Sequence, residues 1–309
     1  MDKIITVARV IVPIFIAVFL GMHARKKALI MPEGIQGLQQ FVMNFGLPCV
    51  IFNSCLTANV GMESIGTMVL LAPFMIISTL WAFRARKTKF PYHNFPQLFC
   101  AQETGMLGIP LFMILFGTAQ AYRMGILDLC QAVTAYPTIA ILSAAAGDNP
   151  TPDQIAKKVL TSPLLIMSAL GLTLNISGIG KVLDNVGIGG IITDTTSFLA
   201  QPVSAMMIFS VGYNFSLSAG NRREIFRICR IHFIAMALIG ILVQIGLFLI
   251  PNVEPETRWA VLMYSTLPAS YLAPSLGRTE EEFTVSSGVC SVLTLVSLII
   301  FCGIAVVVS

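Results

Sequence analysis

Ten predominantly apolar runs follow one another along this chain, each close to the roughly 20 residues a helix needs to cross a bilayer. They lie approximately at Ile4–Met22, Ile35–Leu56, Gly66–Phe83, Phe95–Gly117, Tyr122–Ala146, Val159–Ser177, Ile191–Gly212, Phe226–Ile250, Thr257–Gly277 and Phe283–Val308. Backbone polar groups in lipid must be satisfied within the segment, so runs of this length read as helices. Only 11% of the residues are charged and 56% are hydrophobic, about half the charged share of a soluble domain. The expectation is an all-α integral membrane protein with ten transmembrane helices, short connections and no appended soluble domain. The first run follows Met1-Asp2-Lys3 with no small-residue cleavage site, so it reads as a retained span rather than a leader.

Lysine and arginine orient the spans. Fourteen of the 19 fall in one set of alternate loops and adjoining span ends, including Arg25, Lys26, Lys27, Arg84, Arg86, Lys87, Lys89, Lys157, Lys158, Arg222, Arg223 and Arg278. The other set, with the amino terminus, holds Lys3, Arg9, Arg123, Lys181 and Arg258. Positive charge accumulates on the cytoplasmic side, which places both termini on the non-cytoplasmic side of a cell membrane. Trp81 and Trp259 lie near span ends, as interfacial anchors do.

Two runs are interrupted. The fourth carries Gln102-Glu103-Thr104-Gly105-Met106-Leu107-Gly108-Ile109-Pro110 near its middle, and the ninth carries Thr266-Leu267-Pro268-Ala269-Ser270-Tyr271-Leu272-Ala273-Pro274. A carboxylate at membrane depth is costly and marks a proton, ion or substrate path. Gly and Pro beside it free backbone groups, which is tolerated only against protein or a water-filled cavity. Paired interruptions in the two halves point to a transporter binding site.

Five runs per half, an odd number, make a duplicated second half inverted in the membrane. Val50-Ile51-Phe52 matches Met207-Ile208-Phe209 at an offset of 157, Cys130 and Thr134 match Cys290 and Thr294 at 160, and Pro110 matches Pro274 at 164. Similar offsets in the right order imply a 5+5 inverted repeat. Both interruptions then fall roughly 12–17 Å deep, where broken helices 4 and 9 can cross. Half-helix amino ends there would favour an anion, and freed carbonyls a cation.

On these motifs the sequence resembles the auxin efflux carrier family, which includes plant PIN-formed auxin carriers and bacterial malonate- and malate-type permeases. The residues carrying the likeness are Asn44-Phe45-Gly46-Leu47-Pro48 with Ile51-Phe52-Asn53, then Thr104-Gly105 with Gly108-Ile109-Pro110-Leu111, then Leu267-Pro268-Ala269 and Val285-Ser286-Ser287. Sodium–bile acid symporters are similar in architecture. The resemblance implies a homodimer and an elevator-type motion. Residues 1–58 and 159–218 (spans 1, 2, 6 and 7) would form scaffold and dimer contact; residues 64–146 and 226–309 (spans 3–5 and 8–10) would form the moving transport domain. It also implies a substrate site where spans 4 and 9 cross. The plant carriers have Asn-Pro-Asn-like sequences there; this chain has Glu103-Thr104-Gly105 and Leu267-Pro268-Ala269. Glu103 is compatible with an organic anion only if it is protonated or neutralised by a bound cation, which points to coupling by H+ or Na+.

Glu103 is therefore the first candidate for the coupling ion, against a carboxyl held neutral by local hydrogen bonds. Asp128 either joins that site or lies in the outer headgroup region near Arg123, while Gln131 and Thr134 continue its face or serve only interhelical hydrogen bonds. Gln102, Thr104, Thr266 and Ser270 flank the breaks, where they either offer oxygens or cap freed backbone; the expected substrate-binding set is Asn53, Thr104, Gly105, Pro110, Thr266, Pro268 and Ser270, with Gln102 beside Glu103 for the coupling ion. Asn53 faces substrate or an interhelical partner, as does Asn44, with Gly46 and Pro48 as kink formers. Tyr264 and Ser265 carry less weight. The Glu280-Glu281-Glu282 cluster reads as a solvated helix start with Thr279 as a cap.

Other classes fit poorly. The seven cysteines lie in or beside apolar runs without ligand spacing, and His23, His93 and His232 are scattered. No nucleophile–base pair or phosphate loop is present, so an enzyme is not expected, nor a nucleic-acid partner or a cofactor beyond a coupling Na+ at Glu103. The expected function is secondary active transport of a mono- or dicarboxylate. A sodium-coupled bile-acid-type symporter, with sodium at Glu103, Gln102, Thr104 and Thr134, is one alternative, and a non-transporting membrane sensor on the same fold is another.

Overall fold

A computed structural model describes residues 2–59, 61–144, 151, 153–154, 157, 160–215 and 221–308. The expected end of the fifth run at Ala146, the start of the sixth at Val159, Lys158, and the unit boundaries at Met1, residue 218 and Ser309 lie outside them. The described chain is helical, with no strand among the described residues beyond one isolated bridge. In order, the helices are α1 (Asp2–Lys26), α2 (Pro32–Phe41), α3 (Leu47–Leu56), α4 (Met62–Arg86), α5 (Gln97–Cys100), α6 (Ile109–Phe116) and α7 (Ala121–Ala144). Then follow α8 (Pro163–Ile176), α9 (Ile179–Asn185), α10 (Ile188–Ala200), α11 (Val203–Asn214), α12 (Arg222–Leu247), α13 (Pro255–Thr266) and α14 (Glu280–Val308).

Among the described residues, five helical stretches are long and apolar enough to cross a membrane: Val7–Lys26, Met62–Arg86, Thr118–Ser143, Arg222–Leu247 and Glu280–Val308. They coincide with the first, third, fifth, eighth and tenth apolar runs. The sixth run falls on α8, which is bent by 77° against α9. The remaining four runs fall on shorter or interrupted helical stretches.

Two of these interruptions share one local design. Val42–Gly46 and Thr104–Gly108 are wide π turns, and each is followed by an Xaa-Pro step into a helix, Leu47-Pro48 and Ile109-Pro110. Proline lacks an N–H and its ring displaces the carbonyl four residues back, so the preceding turn widens. Leu47 N–H accordingly reaches Val42 O and Ile109 N–H reaches Thr104 O, each five residues back. At Pro48 the expected kink is thus absorbed as a π turn, and the helix runs on from Pro32 to Leu56. The fourth run opens further. Ala101 is extended (φ −155°, ψ 147°), and helix resumes only at Thr104.

The helices pack in pairs. α1 lies along α11, and α3 along α8. Small residues set the approach, as they do where lipid supplies no hydrophobic drive. A Cβ on Gly21 would lie 2.1 Å from Phe209 O, and one on Gly212 2.1 Å from Val18 O, so the two backbones touch. Gly171 does the same for α8, whose added Cβ would meet Phe52 O at 2.8 Å. In the rest of the chain α4 packs on α5, α7 and α12, while α12 packs on α13 and α14. The buried core runs through both groups.

Candidate functional site at the Gln102–Ala269 pairing

The extended residues between α5 and the π turn run antiparallel to those after α13. Gln102 bridges Ala269, Glu103 N–H donates to Pro268 O at 2.9 Å, and Ser270 N–H donates to Ala101 O at 3.2 Å. Pro268 cannot continue α13, which frees this stretch to pair with its counterpart. Gly108 permits the approach, since a Cβ there would sit 2.7 Å from Leu267 Cδ1.

Glu103 is buried beside this pairing. Its carboxylate accepts from Met106 N–H at 3.2 Å, capping its own turn, and from Tyr271 N–H at 2.7 Å on the other strand. One glutamate therefore ties the two interruptions together. Asp128 accepts from the Thr104 hydroxyl and, at 3.0 Å, from Gln131 Nε2. Asp128 thus lies against the fourth-run interruption. The two carboxylates interact electrostatically, and no described ion pair includes either one.

Gln131 is the junction of the cluster. Its Oε1 accepts from Gln102 N–H at 2.7 Å and Tyr264 OH at 2.9 Å; its Nε2 faces Gln102 O at 3.0 Å and Thr104 Oγ1 at 2.9 Å. Thr134 donates to Cys100 O at 2.6 Å, receiving a carbonyl that α5 leaves at its end. Gln102, Glu103, Thr104, Asp128, Gln131, Thr134 and Pro268 are thus brought together. Thr266 turns back to Met263 O at 2.8 Å, and Ser270 Oγ accepts from Leu272 N–H at 3.3 Å, so both side chains cap their own backbone. Gly105 faces Met43 and Leu47 of the second run, and Pro110 is buried at the start of α6. Asn53 lies elsewhere, between α3 and α10, held by Ser197 and Thr196. Asn44 is exposed and bonded to Gln40 O at 2.8 Å on its own helix.

The structure adds groups that the sequence reading passed over. Tyr271 OH meets Thr294 Oγ1 at 2.7 Å, and buried His232 meets Gln102 Oε1 at 3.1 Å. Arg123 is buried and pairs with Glu63 and Glu254, joining α4, α7 and the entry to α13. Glu282 corrects the reading of its cluster. Thr279 does cap the helix, accepting from Glu282 N–H at 3.1 Å, but Glu282 itself is buried and accepts from His93 N–H and Arg278 N–H. Those two amides lie in loops that converge on the start of α14, so they replace the water that a solvated glutamate would have. Burial holds the His93 imidazole below the usual histidine value.

Residues 6–155 match the family described as membrane transport protein, the auxin efflux carrier family. No curated protein matches the chain. The family is one of membrane transporters rather than enzymes, and with the apolar helices it makes this a multi-pass membrane protein.

Proposed function

We propose that the protein is a ten-span secondary active transporter moving a small organic anion, a mono- or dicarboxylate, in exchange for the free energy of an H+ or Na+ gradient. The observation that carries this reading is Glu103, a buried carboxylate bonded to backbone from both interrupted runs. Two neighbouring carboxylates in a low-dielectric site cannot both stay charged without a proton or cation between them. Glu103 and Asp128 thus supply the coupling site, with the oxygens of Thr104, Gln102 and Gln131 within its reach. The positive ends of the half-helices that begin at the interruptions favour the anion.

Helix packing supports an inverted repeat. Exchanging each run of the first half for its counterpart in the second turns the α1–α11 pair into α8–α3, and α4–α7 into α12–α14. It likewise turns α4–α5 into α12–α13. In this reading α1–α3 and α8–α11 are the scaffold and dimer contact, and α4–α7 with α12–α14 move as an elevator. A sodium-coupled, bile-acid-type carrier is the second reading, favoured by two carboxylates beside the Thr104 hydroxyl, oxygen donors that suit a hard cation.

Uptake of labelled mono- and dicarboxylates into proteoliposomes, under separate Na+ and pH gradients, tests the proposal. Accumulation driven by one gradient is the expected result and names the ion. Ligand binding without flux would favour the sensor, and flux indifferent to both gradients would remove the coupling.

A further inference from the structure

The hydrogen bonds around Gln102 fix the protonation pattern of His232. Gln102 Nε2 lies 3.1 Å from Met236 Sδ, and a thioether can only accept. The amide nitrogen must therefore face the sulfur, which turns Gln102 Oε1 towards His232 Nε2 at 3.1 Å. An amide oxygen needs a donor, so Nε2 carries the hydrogen and the neutral ring has a bare lone pair at Nδ1. That atom is buried with no hydrogen-bond partner among the described residues. His232 as a whole is 1% exposed. An unpaired buried acceptor is a standing cost that a purely structural side chain would avoid.

Burial opposes a charge on the ring, while neighbouring backbone carbonyls favour one. The carbonyls of Leu98 and Leu267 lie beside it. Both come from the carboxyl ends of interrupted helices, α5 and α13. The donor that a continuing helix would supply to each is used elsewhere: Gln102 N–H goes to Gln131, and Tyr271 N–H goes to Glu103. Freed carbonyls at a helix end favour positive charge. Titratable groups of the packed elements are held by partners other than the ring: Tyr264 OH meets Gln131 and Tyr271 OH meets Thr294. Glu103 faces Met106 and Tyr271, Asp128 faces Thr104 and Gln131, Cys100 faces Gln97, and Cys229 faces Val289.

We propose that His232 is a second proton-binding residue, on the opposite side of Gln102 from Glu103, which takes a proton from water at Nδ1 and gives it back during the transport cycle. Proton uptake converts imidazole to imidazolium. It keeps the Nε2–H bond to Gln102 and puts a positive charge beside the Leu98 and Leu267 carbonyls. Because Gln102 also pairs with Ala269 and Gln131, the charge on His232 acts on the pairing of the two interruptions. The role in transport rests on the proposed function; the proton site does not.

The two are tested separately. The chain has three histidines, so [15N]histidine spectra of the full-length protein in lipid nanodiscs are simple, and His232→Gln assigns the signal. The expected result is an Nε2–H ring with an unprotonated Nδ1 resonance at high pH, lost on acidification as the imidazolium forms. A ring that carries its hydrogen on Nδ1, or stays neutral at every pH at which the protein remains folded, overturns the proposal. In the proteoliposome assay, His232→Gln keeps a donor for Gln102 but cannot titrate, and should lose stimulation by a pH gradient while retaining substrate exchange. Undiminished stimulation would overturn the coupling role. If the wild type moves no member of the panel, the transport reading falls and the ring titration alone decides the proton site.

Discussion

A single acidic residue can be found in an apolar run because it is out of place there, and Glu103 was legible for that reason. Its partners were not. Nothing in the local pattern shows that Tyr271, in sequence far beyond Glu103, brings an N–H to it. His232 and Arg123 were hidden because a lone histidine or a span-end arginine has an innocuous reading, and Glu282 because its two neighbours are solvated. Each is defined by contacts between distant parts of the chain. For Arg123 the consequence is energetic. Both it and Glu63 are buried, and breaking such a pair leaves a charge without compensation. Arg123→Met, which leaves the buried Glu63 without a cation, should therefore cost about 3–5 kcal/mol, read as a lowered melting temperature in detergent. Glu254→Gln, on a side chain 41% exposed, should cost under about 1 kcal/mol. His93 carries a pH dependence. Its folded value lies below the unfolded one, so on acidification the unfolded chain binds the proton first. The loop it anchors to Leu142 O at 2.9 Å should loosen as pH falls through the histidine range, seen as faster amide exchange near residues 90–95 that His93→Gln removes.

For whole elements the sequence was more informative, because hydropathy and proline placement act locally. The described residues are helical along the apolar runs, and five stretches are long and apolar enough to cross a membrane. What the runs could not show was the widening of two turns ahead of Pro48 and Pro110, since a proline kinks, breaks or widens a helix depending on what packs against it. Nor did composition reveal which glycines are contact points. Gly21 and Gly212 are, because each faces a carbonyl of the other helix. Gly212→Val should force α1 from α11, costing about 1–3 kcal/mol or more, with loss of the monodisperse fraction on size exclusion. Gly37→Val, where an added Cβ meets nothing within 4 Å, is the matched control.

For the molecule as a whole, the charge pattern predicts an orientation. With lysine and arginine concentrated on one side, Thr88 should lie in the cytoplasm and Asn252 outside. Both are exposed. In a background without the native cysteines, Asn252→Cys should react with an impermeant maleimide in intact cells, and Thr88→Cys only after permeabilisation. The reverse pattern would invert the topology. The central claim is that Glu103 couples an ion to the movement of an anion at the pairing of the two interruptions. The most direct test compares Glu103→Gln with wild type in proteoliposomes loaded with a transported carboxylate. Glutamine mimics a protonated carboxyl, so in a proton-coupled carrier the variant should keep exchange of internal for external substrate but lose gradient-driven accumulation. In a sodium-coupled one both should be lost. Accumulation by Glu103→Gln equal to wild type, under the same gradient, would contradict the account.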